Sequence, residues 1–185
     1  MKTHLEIEYK TALTREEYQE MMYHFPFEGP ISQSNTYYDT EDTRLQNQGV
    51  MCRIRKEGET TLFTLKEPQE EGVLEYEFYM LGEQQDNKRA QDILLPFHVG
   101  LSELKEVTFS NTVRFVYKDV YGTWCLDVTQ FPHHKDYELE YELHKQEDRA
   151  RSHFLSVLAE LNIEYVESPP KFLRAINSSP EAPVE

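Results

Sequence analysis

The sequence predicts a β-rich α+β domain, and three observations carry that prediction. Apolar and polar residues alternate with period two over most of the chain, as strands with one apolar and one polar face require. Only two segments show strong helical spacing, so about seven or eight strands must form a mainly antiparallel sheet. The length of 185 residues suits one ordinary domain, or at most two very small ones.

In chain order, Leu5 to Lys10 opens the pattern, with Glu6, Glu8 and Lys10 on one face and Leu5, Ile7 and Tyr9 on the other. Thr14-Arg15-Glu16-Glu17 is a capping box, and Tyr18, Met21, Met22 and Phe25 follow at helical spacing until Pro26 ends the helix. Arg53 and Arg55 then oppose Cys52 and Ile54, Thr64 and Lys66 oppose Phe63 and Leu65, and Glu75 and Glu77 oppose Leu74, Tyr76 and Phe78. Short helical turns are expected near 92–95, 101–105 and 170–176. Arg114 opposes Val113 and Phe115, and Asp127 opposes Leu126 and Val128. Glu138, Glu140 and Glu142 oppose Tyr137, Leu139, Tyr141 and Leu143. A second helix is predicted over 146–162, with Ala150, Phe154, Val157, Leu158 and Leu161 on its apolar face. Residues 1–176 are expected to form a single domain and 177–185 a flexible tail, since the end is rich in Ser, Pro and Glu and has no periodicity.

Composition excludes several classes. With 38% hydrophobic and 29% charged residues, wholesale disorder is excluded. No apolar run approaches the roughly 20 residues of a membrane helix, and Met1 to Glu6 lacks a signal-peptide core, which points to a soluble cytoplasmic protein with no membrane partner. The net charge of −15 argues against a sequence-independent grip on duplex nucleic acid, although a local basic groove is compatible with it. Cys52 and Cys125 are too few for a disulfide scaffold and lack zinc-ligand spacing. Their opposite parities place them on different sides of the sheet. No sequence feature specifies an oligomeric state.

The polar faces are sorted by sign: acids on three strands, Arg or Lys on three others. A solvated face usually mixes both signs with Ser, Thr and Gln. Like carboxylates about 5 Å apart repel by roughly 3 kcal/mol at an effective dielectric near 20, so several pairs in one enclosed place require cations. If the sheet curls with its polar face inward, oxygen ligands and fixed cations meet around a wet channel. Mg²⁺ or Mn²⁺ prefers such carboxylates together with phosphate oxygens, and Arg and Lys clamp phosphate. A polyphosphate needs both halves, and no glycine-rich phosphate loop is present to hold it otherwise.

The strand Glu6-Ile7-Glu8-Tyr9-Lys10 carries an E-x-E-x-K motif. In order follow Tyr37-Tyr38-Asp39-Thr40, Arg53-Ile54-Arg55, Leu65-Lys66, Glu75-Tyr76-Glu77, Arg114, Leu126-Asp127, Glu138-Leu139-Glu140-Tyr141-Glu142, and Lys171 with Arg174. Over about residues 3–176 this series resembles the CYTH domain, the triphosphate tunnel metalloenzyme family. The resemblance implies a closed eight-stranded antiparallel β-barrel that binds a small-molecule triphosphate, with hydrolysis or cyclisation dependent on Mg²⁺ or Mn²⁺. It implies Glu6, Glu8, Asp127, Glu138 and Glu140 as metal ligands, with Glu75, Glu77 and Glu142 as further candidates. It implies Lys10, Arg53, Arg55, Lys66, Arg114 and Lys171 as phosphate contacts, and Lys10 with Tyr37 as a pair acting on the attacking water. Tyr37 can equally be a packed aromatic, and Arg174 is read as structural. His133-His134 is read as an exposed turn and Trp124 as core.

Hydrolysis of inorganic tripolyphosphate or a small organic triphosphate ranks first, because the charged faces show no aromatic pair for a base. Class IV adenylate cyclisation of ATP to cAMP is the enzymatic alternative. A non-catalytic polyphosphate binder would keep the basic residues but could dispense with the acids. A carrier of apolar ligands would turn Glu6 and Arg53 to solvent.

Overall fold

The structure is a computed structural model that describes residues 2–180; of the tail expected at 177–185, residues 181–185 lie outside the described residues. Its elements are β1 (Lys2–Glu6), β2 (Glu8–Leu13), α1 (Arg15–His24), β3 (Glu28–Asp39), β4 (Met51–Glu57), β5 (Thr60–Pro68), β6 (Val73–Tyr79), α2 (Glu83–Leu94), β7 (Lys105–Lys118), β8 (Gly122–Gln130), β9 (Lys135–Leu143), α3 (Ala150–Glu160) and α4 (Lys171–Ile176). The β-rich α+β class holds. The nine strands form one sheet in the order β1-β6-β5-β4-β3-β7-β8-β9-β2. This corrects the expected closed barrel of eight strands. The N-terminal strand, read as continuous, breaks at Ile7, so that β1 pairs with β6 while β2 pairs with β9 and the two pieces stand at opposite ends of the order.

Local signals explain most helix ends. Thr14 Oγ1 accepts from Glu17 N at 3.1 Å and Thr14 N donates to Glu17 Oε1 at 2.8 Å, the reciprocal pairing of a capping box. Phe25 is extended, as the residue before a proline prefers, and stops α1. The second predicted helix starts later than expected, at Ala150, because Glu147 folds onto the Arg149 backbone N and guanidinium (3.2 and 2.9 Å). Helix α2 is longer than the short turn expected near 92–95. Asp86, one turn in, caps Leu81 N and Gly82 N, both at 3.0 Å, a signal placed after the helix start rather than before it. The short helical turn expected over 101–105 is a 3₁₀ turn, Leu101–Glu103. At the start of the expected tail, Ser178 Oγ accepts from His133 N at 2.8 Å.

The chain divides into two compact units. In the first, residues 1–6 and 33–110, β4, β5 and β6 form a meander whose apolar face, Cys52, Phe63, Leu65 and Phe78, is covered by Ala90, Ile93 and Leu94 of α2. In the second, residues 7–32 and 111–180 of those described, β8 and β9 present Trp124, Leu126, Leu139 and Tyr141 to Met21 of α1 and to Phe154, Val157 and Leu158 of α3. Full burial of such a side chain contributes about 1.5–3 kcal/mol. No helix among the described residues is long and apolar enough to cross a membrane.

Gly122 opens β8 against Leu143 of β9. A Cβ there would lie 2.3 Å from the Glu142 carbonyl oxygen, a backbone atom that cannot swing aside. Gly122→Ala is therefore expected to lower stability by about 2–3 kcal/mol in urea denaturation.

In both units the opposite face is charged, and it is buried. Glu6 and Arg53 are each 7% exposed, Asp127 0% and Glu138 1%. That removes the solvent-face reading and the apolar-carrier alternative together, since both required these groups in bulk water.

Candidate functional site

In the second unit, strand register sets side chains of one face in rows. Arg114 of β7 lies opposite Asp127 of β8, which lies opposite Glu138 of β9; one row along, Cys125, Glu140 and Lys10 are cross-strand neighbours; then Thr123, Glu142 and Glu8. Into this face the C-terminal segment brings Lys171. Its path is fixed by Ala12 N donating to Val166 O (2.7 Å) and Val166 N donating to Thr11 Oγ1 (2.8 Å), after which Pro169 and Pro170 lead into α4.

Lys171 Nζ donates to Asp127 at 2.9 Å, Glu138 at 2.9 Å and Glu140 at 2.6 Å. Arg114 forks onto both Asp127 oxygens, at 2.8 and 2.7 Å, and reaches Glu140 at 3.1 Å. Glu138 also accepts from Ser168 Oγ at 2.5 Å and Arg174 Nη2 at 2.6 Å. One oxygen from each of Asp127, Glu138 and Glu140 falls in a group within 4.8 Å of one another. Burial pushes the Asp127 carboxyl up, but Arg114 and Lys171 outweigh it and hold the group below the usual range. Burial likewise acts on Glu140, which Lys171 and Arg114 hold well below that range. Glu138 goes the other way: burial, with a hydrogen bond shared with Glu140, keeps its carboxyl raised despite Lys171. The pair thus favours a proton on Glu138.

In the first unit, Lys66 Nζ bridges Glu6 (3.0 Å) and Glu75 (3.0 Å). Burial raises the Glu6 carboxyl against the pull of Lys66. Arg53 donates through Nη2 to Thr64 Oγ1 at 3.3 Å, and its buried Nε has no hydrogen-bond partner. An orphaned buried guanidinium donor is costly in the free protein, and phosphate oxygens are its natural complement. Arg55 Nε donates to Asn35 Oδ1 at 2.7 Å. Tyr37 is 1% exposed, with its hydroxyl 2.8 Å from Ser110 Oγ. Lys10 Nζ lies 3.8 Å from Glu8.

Structure adds four residues to the groups read from sequence. Arg174 joins the carboxylate cluster directly, and also pairs with Asp136 at 2.9 Å. Ser168 carries no periodic signal. Thr64 and His4 do, since they share the parity of Lys66 and Glu6, but uncharged side chains in a charged row attract little notice. The two cysteines are both free and buried. Burial pushes the Cys52 thiol up to about 12, leaving it a packing residue.

Each unit thus buries charges of both signs on one strand face, groups whose chemistry suits a polyionic ligand. The chain belongs to the CYTH domain family, whose model matches residues 4–173. It is 26% identical over 183 residues to the Bacillus subtilis (strain 168) protein named "Putative triphosphatase YjbK", covering 94% of this chain and 95% of that one. A Bacillus halodurans crystal structure described as a "putative adenylate cyclase" aligns with a TM-score of 0.79 at 28% identity, covering 94% of this chain and 98% of that one. The Hippeastrum protein HpAC1, whose structure is described as revealing a dominant triphosphatase activity, aligns with a TM-score of 0.74 at 22% identity over 92% and 95% of the two chains.

Proposed function

We propose that this protein is a divalent-metal-dependent triphosphatase acting on inorganic tripolyphosphate or a small organic triphosphate. The observation that carries the reading is the convergence of Asp127, Glu138 and Glu140 on one buried point already held by an ammonium and a guanidinium. The likeness to YjbK supports hydrolysis as the chemistry.

The donor set fits Mg²⁺ or Mn²⁺: three buried carboxylates that offer oxygens only. Asp127, Glu138 and Glu140 would hold the ion, with Glu8 of the same unit assigned as a further ligand; Glu6 is assigned as a metal ligand within the first unit. Bound there, it would neutralise phosphate charge and lower the pKa of a coordinated water. Arg114 and Lys171, which now neutralise the carboxylates, would turn part of their donor capacity to phosphate oxygens. Arg53, Arg55 and Lys66 are assigned phosphate contacts in the first unit. Lys10, directly across from Glu140 in the strand register, orients the attacking water. Tyr37 is assigned to the same step, with its hydroxyl held by Ser110.

Arg53→Ala is expected to weaken tripolyphosphate binding about 10- to 150-fold by calorimetry, the equivalent of roughly 1.5–3 kcal/mol for a charge-assisted bond. Unchanged affinity would remove Arg53 from the phosphate contacts. The name of the B. halodurans relative favours a second reading, cyclisation of ATP. Incubation with ATP and Mn²⁺ separates the two: phosphate release supports hydrolysis, and cAMP without phosphate release supports the cyclase.

A further inference from the structure

We propose that His4, Glu75 and Glu77 form a second metal site, for a first-row transition ion such as Zn²⁺. The proposal stands independently of the triphosphatase reading. His4 of β1 lies directly opposite Glu75 of β6, with Glu77 two residues further along the same face. Its Nδ1 is 3.7 Å from Glu75 Oε2 and 3.9 Å from Glu77 Oε1, too far for hydrogen bonds; that atom is buried with no hydrogen-bond partner, while the ring as a whole is 33% exposed. The three ligand atoms fall within 4.8 Å of one another, a spacing that a small ion between them would close.

The far oxygens of both carboxylates are already tied down. Lys66 Nζ lies 3.0 Å from Glu75 Oε1, and Thr64 Oγ1 donates to Glu77 Oε2 at 3.2 Å. Each glutamate is thereby turned so that its other oxygen faces the imidazole. Such outer partners are what orient ligands at built metal sites. The donor set also separates this site from the cluster of Asp127, Glu138 and Glu140. Carboxylates alone suit Mg²⁺ or Mn²⁺, whereas adding an imidazole nitrogen to two carboxylates favours Zn²⁺. Three protein ligands leave a fourth position for water or a ligand oxygen.

The test is Zn²⁺ binding to the chelator-stripped, full-length protein, read by equilibrium dialysis and by the imidazole ¹⁵N spectrum. One tight equivalent of Zn²⁺ is expected, weakened by more than about tenfold in His4→Ala and retained in Asp127→Asn. In the parent protein the His4 Nδ1 resonance should shift on adding Zn²⁺ and stay in place on adding Mg²⁺. That spectrum decides the matter even if His4→Ala folds poorly. An unmoved His4 resonance, or equal Zn²⁺ affinity in a folded His4→Ala variant, overturns the proposal.

Discussion

Asp127→Asn is expected to lower metal-dependent phosphate release by more than about 100-fold, beyond the 10–100-fold typical of losing an outer partner of a metal ligand. It should also destabilise the metal-free protein by about 3 kcal/mol, because the amide keeps one acceptor oxygen and no charge, so that Arg114 loses one arm of its fork and Lys171 one of three carboxylate acceptors. Glu138→Gln should separate these two effects. It removes a charged ligand and abolishes turnover, yet its stability cost should be smaller than that of Asp127→Asn, since burial already disfavours the Glu138 charge and offsets part of what Lys171 and Arg174 lose. Glu6→Gln should behave alike for the same reason. Urea denaturation paired with phosphate release checks all three variants. Wild-type turnover in Asp127→Asn and Glu138→Gln alike would refute the metal assignment.

The same asymmetry sets the pH dependence of the metal-free protein. Asp127 and Glu140 are held below their ordinary range, so their stabilisation is present above the unfolded values near 4 and is lost as pH falls through the lower folded values. Glu6 and Glu138 are raised, so ionising them opposes folding, and taking up protons as pH falls from neutrality relieves that cost. Denaturation midpoints should therefore hold or rise slightly from pH 7 towards 5, then drop below about 4.

Asp119→Ala is expected to have the largest effect on stability without touching the charged cluster. Asp119 Oδ1 accepts from Tyr141 OH at 2.6 Å, Tyr121 N at 3.0 Å and Gly122 N at 3.1 Å; Oδ2 accepts from Trp124 Nε1 at 2.8 Å and lies 3.1 Å from His153 Nε2. Burial raises this carboxyl, but the Tyr141 and Trp124 hydrogen bonds outweigh it and hold the group low. Trp124 and Tyr141 are both 0% exposed and stack with ring centroids 4.0 Å apart. Truncation leaves two buried donors without partners, each costing about 1–3 kcal/mol, and frees the β7–β8 turn from α3. A loss of roughly 3–5 kcal/mol is expected in urea denaturation, with turnover per folded molecule preserved. A loss below about 1 kcal/mol would show that water replaces the carboxylate.

Much of this was legible in the sequence because burial on both sheet faces forces strict alternation. Glu138 and Glu140 could be separated from Leu139 and Tyr141 by parity alone, and the Thr14 to Glu17 box marked α1 without tertiary information. Three features were not legible. The break at Ile7 leaves the alternation intact, so nothing local signals that β1 and β2 choose different partners. Helix α2 buries only Asp86, Ala90, Ile93 and Leu94, and its N-cap residue, Gly82, has no side chain to mark the start, the cap coming from Asp86 inside the helix. Asp119 sits in a turn, where a single acid reads as solvated, and only the fold gathers its partners from β8, β9 and α3 around it.

The most direct measurement is phosphate release from tripolyphosphate by the purified protein, with Mg²⁺ or Mn²⁺ present and again after chelation. The account predicts turnover that requires the metal and falls by more than about 100-fold in Asp127→Asn. Turnover equal in the chelated protein, or none with any triphosphate and either metal, would contradict it.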